Sequence, residues 1–198
     1  MVIGVDTAAN VTNIVAGLKA NGYQFVGRYY SDPANEWKIM SVQESAAIAE
    51  AGLQRVVVFQ NTNDYYKYFS EKQGTKDASA AISLAKARGQ RSGSAIYFSV
   101  DYDASENEVN GQIKEYFKAV SEMILLAGYN VGVYGSGLVC RIIKTLGLAS
   151  YTWLALAKDW QGSTSYKEWN INQLENITLF GVEVDRDMAT GINSIGAW

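Results

Sequence analysis

The chain has 198 residues, 48% of them hydrophobic and 19% charged, which fits one globular domain with a substantial core. Net charge is −3 with no basic block or stripe, so nucleic-acid binding has no electrostatic basis. There is no histidine, and Cys140 is the only cysteine. That excludes Ser-His-Asp and Cys-His catalysis, histidine and thiolate metal sites, and an intrachain disulfide.

General acid–base work therefore falls to Asp, Glu, Tyr or Lys, and no cofactor is implied. The chain begins inside a strand-like run with no basic segment before it, which reads as no signal peptide in this chain. No apolar stretch is long enough to span a bilayer, so no membrane insertion is expected, and a monomer is the expected state. Cys140, within Leu138-Val139-Cys140-Arg141-Ile142, reads as a small core residue.

In chain order, apolar runs rich in β-branched and aromatic residues predict strands near Val2 to Asp6, Gln24 to Tyr30, Arg55 to Gln60, Ala95 to Asp101, Asn130 to Tyr134, Tyr151 to Ala157, Trp169 to Leu174 and Phe180 to Asp185. Amphipathic helical patterns lie between most of them. The clearest places Val109, Ile113, Phe117, Val120, Ile124 and Ala127 on one face. Ser41 with Glu44, and Ser105 with Glu108, have capping-box spacing. Gly22, Gly52, Gly89, Gly128 and Gly147 each follow a helical stretch and precede an apolar run. Repeated strand–helix–glycine units imply parallel strands with helical crossovers. Asp6-Thr7-Ala8-Ala9-Asn10 is not a glycine-rich phosphate loop, which disfavours an open doubly wound sheet. The expected fold is thus a single α/β (β/α)8 TIM-type barrel over residues 1–198, lean, with short or missing final helices.

Acidic residues end three of the apolar runs, at Asp6, at Asp101 with Asp103, and at Asp185. Carboxylates are costly to bury, and strand C-termini of such a barrel form one rim, so the pattern predicts a carboxylate-lined pocket. Asp101 and Asp103, two apart, share a face if the strand stays extended, with Cα atoms roughly 6.5–7 Å apart. Two such charges push one pKa upward, giving the neutral acid and ionised carboxylate that glycoside chemistry needs. Blander readings stand beside this one. Asp6 is placed to cap a helix, Asp185-Arg186-Asp187 to form an internally paired surface turn, and oxygen ligands alone would suit Ca²⁺ or Mg²⁺. Tyr29, Gln60, Tyr134, Trp153 and Gln173 lie at or near strand ends, where aromatic faces and amides suit sugars. Arg28 is a candidate charge partner of the carboxylates. Tyr65, Tyr66, Tyr68 and Phe69 form either a cleft wall or a packed face.

The ordered set Gly4-Val5-Asp6-Thr7-Ala8, Phe25-Val26-Gly27-Arg28-Tyr29, Ile96 through Asp103, Gly132-Val133-Tyr134-Gly135-Ser136, Trp153-Leu154-Ala155 and Gly181-Val182-Glu183-Val184-Asp185 resembles the bacterial glycoside-hydrolase-like domain family once catalogued as domain of unknown function 1906. That family is similar to the family 25 lysozymes, which cut the β-1,4 bond after N-acetylmuramic acid in peptidoglycan. The resemblance implies a lysozyme-like hydrolase of peptidoglycan or a related N-acetylated glycan, extracellular or cell-wall associated if exported. It makes Asp103 the general acid, with Asp101 and Asp6 stabilising an oxocarbenium or oxazolinium-like intermediate. Asp185 would fix the acid's environment or the substrate, and Arg28, Tyr29, Gln60, Tyr134, Trp153 and Gln173 would hold substrate. One departure stands out: the lysozymes carry Glu where this chain has Asp103, a carboxyl withdrawn by about 1.5 Å. A non-catalytic glycan-binding module on the same barrel is the alternative.

Overall fold

The computed structural model describes residues 1–198. Eight strands close into one barrel in chain order: β1 (Val2–Asp6), β2 (Phe25–Tyr30), β3 (Gln54–Phe59), β4 (Ala95–Ser99), β5 (Asn130–Gly135), β6 (Tyr151–Leu154), β7 (Ile171–Leu179) and β8 (Val182–Ala189). Neighbours from β1 to β7 pair in parallel, whereas β8 is antiparallel to both β7 and β1.

This corrects the expected (β/α)8 TIM-type topology. Helices follow only the first five strands: α1 (Val15–Ala20), α2 (Val42–Glu50), α3 (Glu71–Ala87), the short α4 (Glu106–Glu108) running through a π-helical segment (Val109–Ile113) into α5 (Lys114–Leu126), and α6 (Gly137–Thr145). No helix separates β6 from β7, and β7 turns directly into β8 through Phe180 and Gly181. Both turn residues have positive φ, 52° and 82°, the backbone that a two-residue hairpin needs to match strand twist. A parallel crossover takes a dozen or more residues, so a connection this short dictates an antiparallel return.

Strand alternation divides the core in two. On β2, Phe25 and Tyr29 face the barrel interior, while Val26 and Tyr30 join the apolar layer between barrel and helices. The interior holds Phe25, Val56, Val58, Tyr97, Trp153 and Ile171. Glycines make room for the large rings. A Cβ at Gly4 would fall 2.4 Å from the Phe25 ring, one at Gly132 would fall 2.3 Å from Tyr97, and one at Gly27 would fall 2.6 Å from Trp153. The C-terminal segment plugs the end where the parallel strands begin. Ala95 N donates to Gly196 O at 2.7 Å, the Tyr97 hydroxyl donates to Ile195 O at 3.0 Å, and Trp198 exchanges backbone hydrogen bonds with Arg55. The other end, where those strands finish, stays open. Among the helices, none is long and apolar enough to cross a membrane.

One buried ion pair ties the layers together. Arg28 and Glu44 are each 1% exposed, with Arg28 Nε donating to Glu44 Oε1 at 2.7 Å and Nη2 to Oε2 at 3.1 Å. The same Oε1 accepts from Val11 N at 2.9 Å, and Arg28 Nη1 donates to the Thr7 carbonyl. The pair thus joins β2, α2 and the β1–α1 connection. Removing one partner of such a pair strands a buried charge, which typically costs about 3–5 kcal/mol. Glu44→Ala should lose stability on that scale in urea unfolding, and the double variant Arg28→Met/Glu44→Leu should lose clearly less.

Candidate active site

At the open end lies a cavity of about 180 Å³ lined by Asp6, Tyr29, Val58, Gln60, Ser99, Asp101, Tyr134, Trp153, Gln173 and Asp185. All eight strands, or the residues just past them, supply its lining by the same device: inward-facing positions at the level where the parallel strands finish point into the mouth. Asp6 is the last residue of β1, and in the antiparallel pairing it stands directly opposite Asp185. β8 enters the barrel from the open end, so its early residues reach the level at which the parallel strands finish.

Gln173 is the centre of the network. Its Nε2 donates to Asp6 Oδ2 at 2.9 Å and to Asp185 Oδ2 at 3.1 Å. Its Oε1 accepts from the Tyr134 hydroxyl at 3.0 Å and from Leu156 N at 3.1 Å. A register shift between Gln173 and Glu175 bends β7 at this point, the kind of irregularity that re-aims a side chain beside a site. Asn176 Nδ2 adds a bond to Asp185 Oδ1 at 3.2 Å. On the facing wall, Gln60 Nε2 donates to Asp101 Oδ2 at 2.7 Å, and Asp101 N donates to the Asn63 carbonyl at 2.8 Å. Trp153 is 1% exposed, packs edge-on to Tyr134 at 5.8 Å, and gives its indole N–H to Asp187 Oδ1 at 3.0 Å.

The residues singled out from the sequence divide in two. Asp6, Asp101, Asp185, Tyr29, Gln60, Tyr134, Trp153 and Gln173 come together around the cavity. Arg28 and Asp103 do not line it. Arg28 faces outward into the helix layer and is held by Glu44. β4 ends at Ser99 and the chain bends at Tyr102, so Asp103 does not continue the inward alternation that Asp101 keeps. Asp103 is exposed and accepts from Gln161 N at 2.8 Å, tethering the connection after β4 to the one after β6. Tyr68 and Phe69 pack into the core, whereas Tyr65 is half exposed.

Sequence reasoning missed Asp187. It is fully buried on β8, not part of a surface turn. The signal was present, since Asp185 and Asp187 are two apart within a strand-like run and therefore share a face. Lys38, mostly buried, was also missed. Its Nζ lies 5.4 Å from the Tyr29 ring centre, and its charge acts on Asp101.

Electrostatics set these carboxyls apart. Burial, then the charge of Asp185, pushes Asp6 up to about 7, against the opposing hydrogen bonds of Gln173 and Asp187. Burial also raises Asp101, with Gln60 and Lys38 opposing. The Tyr29 and Tyr134 phenols are held well above their usual value by burial and the nearby carboxylates, so they stay neutral donors. Because the folded state binds the Asp6 proton more tightly than the unfolded chain does, the stability that this carboxyl contributes is present at low pH and is lost as pH rises from about 4 towards 7. Asp6→Asn should therefore flatten stability against pH in that window and raise Tm above pH 7 by at least about 2–4 °C, measured by thermal unfolding of both proteins across pH.

Comparison with known proteins places the chain in a family. Two proteins of Bacillus subtilis (strain 168), uncharacterized protein FadG and uncharacterized protein YbfG, are 30% and 31% identical over 97% and 96% of this chain. The chain spans only 36% and 29% of their lengths, about a third. The crystal structure of the Mycobacterium tuberculosis Tat-secreted protein Rv2525c in complex with HEPES superimposes with a TM-score of 0.82 at 21% identity, covering 100% of this chain and 98% of that one. A muramidase from Trichobolus zukalii shares the fold more distantly, with a TM-score of 0.64 at 14% identity over 99% of both chains. A family model described as Rv2525c-like, glycoside hydrolase-like domain matches residues 16–189, and the chain belongs to that family.

Proposed function

We propose that this protein is a lysozyme-like glycoside hydrolase acting on peptidoglycan or a related N-acetylated cell-wall glycan. The observation that carries the reading is the gathering of Asp6, Asp185 and Asp101 around one cavity, with amides and aromatic rings between them. Glycoside hydrolysis needs a carboxyl that keeps its proton beside one that has lost it, and environments that push two pKa values apart reveal such a pair. Asp6, raised to about 7 by burial and the Asp185 carboxyl and joined to Asp185 through Gln173, supports that reading.

In this mechanism Asp6 protonates the leaving glycosidic oxygen. Asp185 stabilises the positive charge that develops on the sugar, and Asp101 on the facing wall orients the substrate. An acetamido group of the substrate, attacking its own anomeric carbon, would form an oxazolinium-like intermediate that water then opens. Tyr29 and Tyr134 supply neutral hydroxyl donors, Gln60 and Gln173 hold the carboxylates in place, and Trp153 forms the cavity floor. The polymer lies outside the cytoplasm, so the reading carries an exported, cell-wall location; Rv2525c itself is described as Tat-secreted.

One observation favours a second reading. Asp103, at the position where the resemblance puts the general acid, is exposed and bound to Gln161 N, which suits a pocket that binds glycan without cleaving it. Incubation with purified peptidoglycan, followed by mass analysis of muropeptides and a reducing-end assay, separates the two. For a hydrolase, Asp6→Asn should lower turnover by about 10²–10⁴-fold with binding kept, and Asp103→Asn should change it by less than about tenfold. Binding of the glycan with no new reducing ends at any pH would establish the binding module instead.

The pH profile is a separate check. An acid that must be protonated loses activity as it ionises, so kcat/KM should fall as pH rises through about 7. A rate that stays level to pH 9 would remove Asp6 from the acid role.

A further inference from the structure

Asp187 is fully buried, with no solvent to share its charge. Its Oδ1 accepts from the Trp153 indole at 3.0 Å, but Oδ2 has no donor within hydrogen-bonding distance. Across the β1–β8 pair, Asp187 stands opposite Gly4, which has no side chain, and diagonal to Asp6, which is opposite Asp185. The Asp187 and Asp6 carboxyls lie within hydrogen-bonding reach of each other. An ionised carboxylate there would be buried, half unsatisfied and beside a like charge, the combination that protein interiors avoid. A proton on Oδ2 removes all three difficulties at once, because it turns the orphaned acceptor into a donor within reach of Asp6.

We propose that Asp187 is a positioning residue that keeps a proton on Oδ2 across the working pH range and donates it to the Asp6 carboxyl, holding that carboxyl towards Gln173 and setting the pH at which it ionises. The surroundings agree from every side. Asp6 on β1 and Asp185 on β8 are acidic and repel a charge on Asp187. Trp153 on β6 offers a single donor, already used at Oδ1. Tyr97 on β4 and Tyr29 on β2 present neutral phenols that feel the carboxyl. Arg28 on β2, the nearby cation, faces away and is paired with Glu44. Asp187 accordingly sits well above the usual carboxyl range, with burial the largest cause and the Asp6 charge next. The two carboxyls therefore titrate as one interacting unit, with both held above the usual carboxyl range. For catalysis, the inference rests on the reading of Asp6 as the acid; the shared proton itself does not depend on that reading.

The test is a ¹³C-carboxyl NMR titration of wild type, Asp187→Asn and Asp187→Leu, with Asp6 assigned by loss of its signal in Asp6→Asn, alongside pH–rate profiles. Asparagine reproduces a protonated Asp187, with its oxygen for Trp153 and its amide for Asp6. Asp187→Asn should therefore fold and move the Asp6 midpoint by less than about half a unit. Asp187→Leu deprives the Asp6 carboxylate of a donor, so its midpoint should rise by about one unit or more, and the falling limb of the rate profile should follow it. A downward shift of about one unit or more in Asp187→Asn would mean that Asp187 was ionised, and would overturn the proposal. So would an unchanged Asp6 midpoint in Asp187→Leu, which would leave Asp187 a packing role only, or failure of Asp187→Asn to fold. Should Asp187→Leu fail to fold, the asparagine variant decides alone. Should wild type cleave nothing, the titrations still test the shared proton, and only the hydrolase reading falls.

Discussion

The antiparallel pairing of β8 with β1 is the constraint from which the site follows. It closes the barrel and leaves no strand edge to protect. It also brings β8 in from the open end, so that Asp185 lands opposite Asp6 and Asp187 one pleat deeper. Carboxyls nearly 180 positions apart in sequence thereby share one small volume. A parallel β8 would have presented the other end of the strand to that level.

Concentrating acidic groups in a barrel interior is unfavourable, and the surrounding residues answer it group by group. Gln173 supplies donors to Asp6 and Asp185 and is itself fixed by Tyr134 and the Leu156 amide. Trp153 gives Asp187 its one donor, and Gln60 does the same for Asp101. What these bonds leave uncompensated is carried as raised pKa values, at a cost in stability at neutral pH. Arg28, buried in the adjoining layer, is paired with Glu44, so it only partly opposes the rise of Asp6, as Lys38 does for Asp101.

The interior packing gives the site rigidity. Phe25, Tyr97 and Trp153 occupy space that opens only because Gly4, Gly132 and Gly27 carry no side chains, and the C-terminal segment seals the far end. The polar groups at the mouth therefore stand on a closed, filled barrel, and preorganised groups of this kind are what a transition state requires of an enzyme. Sharing this framework with a muramidase structure says what the scaffold is; what the pocket does depends on a few side chains within it.

Local chemistry was legible in the sequence. The positions of the first six strands, the capping box at Ser105 and Glu108 and the positive-φ glycines Gly22, Gly52, Gly89, Gly128 and Gly147 all depend on neighbouring residues alone. So did the convergence of Asp6, Asp101, Gln60, Tyr134, Trp153 and Gln173, because residues ending parallel strands share a rim. Strand direction was not read from the apolar runs, which look alike either way; the clue was the connection between the last two runs, too short for a crossover helix. Face assignment failed where extension was assumed beyond its limit. Asp101 and Asp103 have the spacing of a shared face, but the strand stops at Ser99, whereas Asp185 and Asp187 have the same spacing inside a strand that continues to Ala189. Arg28 was likewise drawn to the carboxylates by adjacency, yet its strand position turns it outward to Glu44. Sequence determined which residues could carry charge and where strands would form. Only the tertiary structure decided which carboxyls meet, because that depends on strand direction and register, and a single residue of alternation separates the cavity from the helix layer.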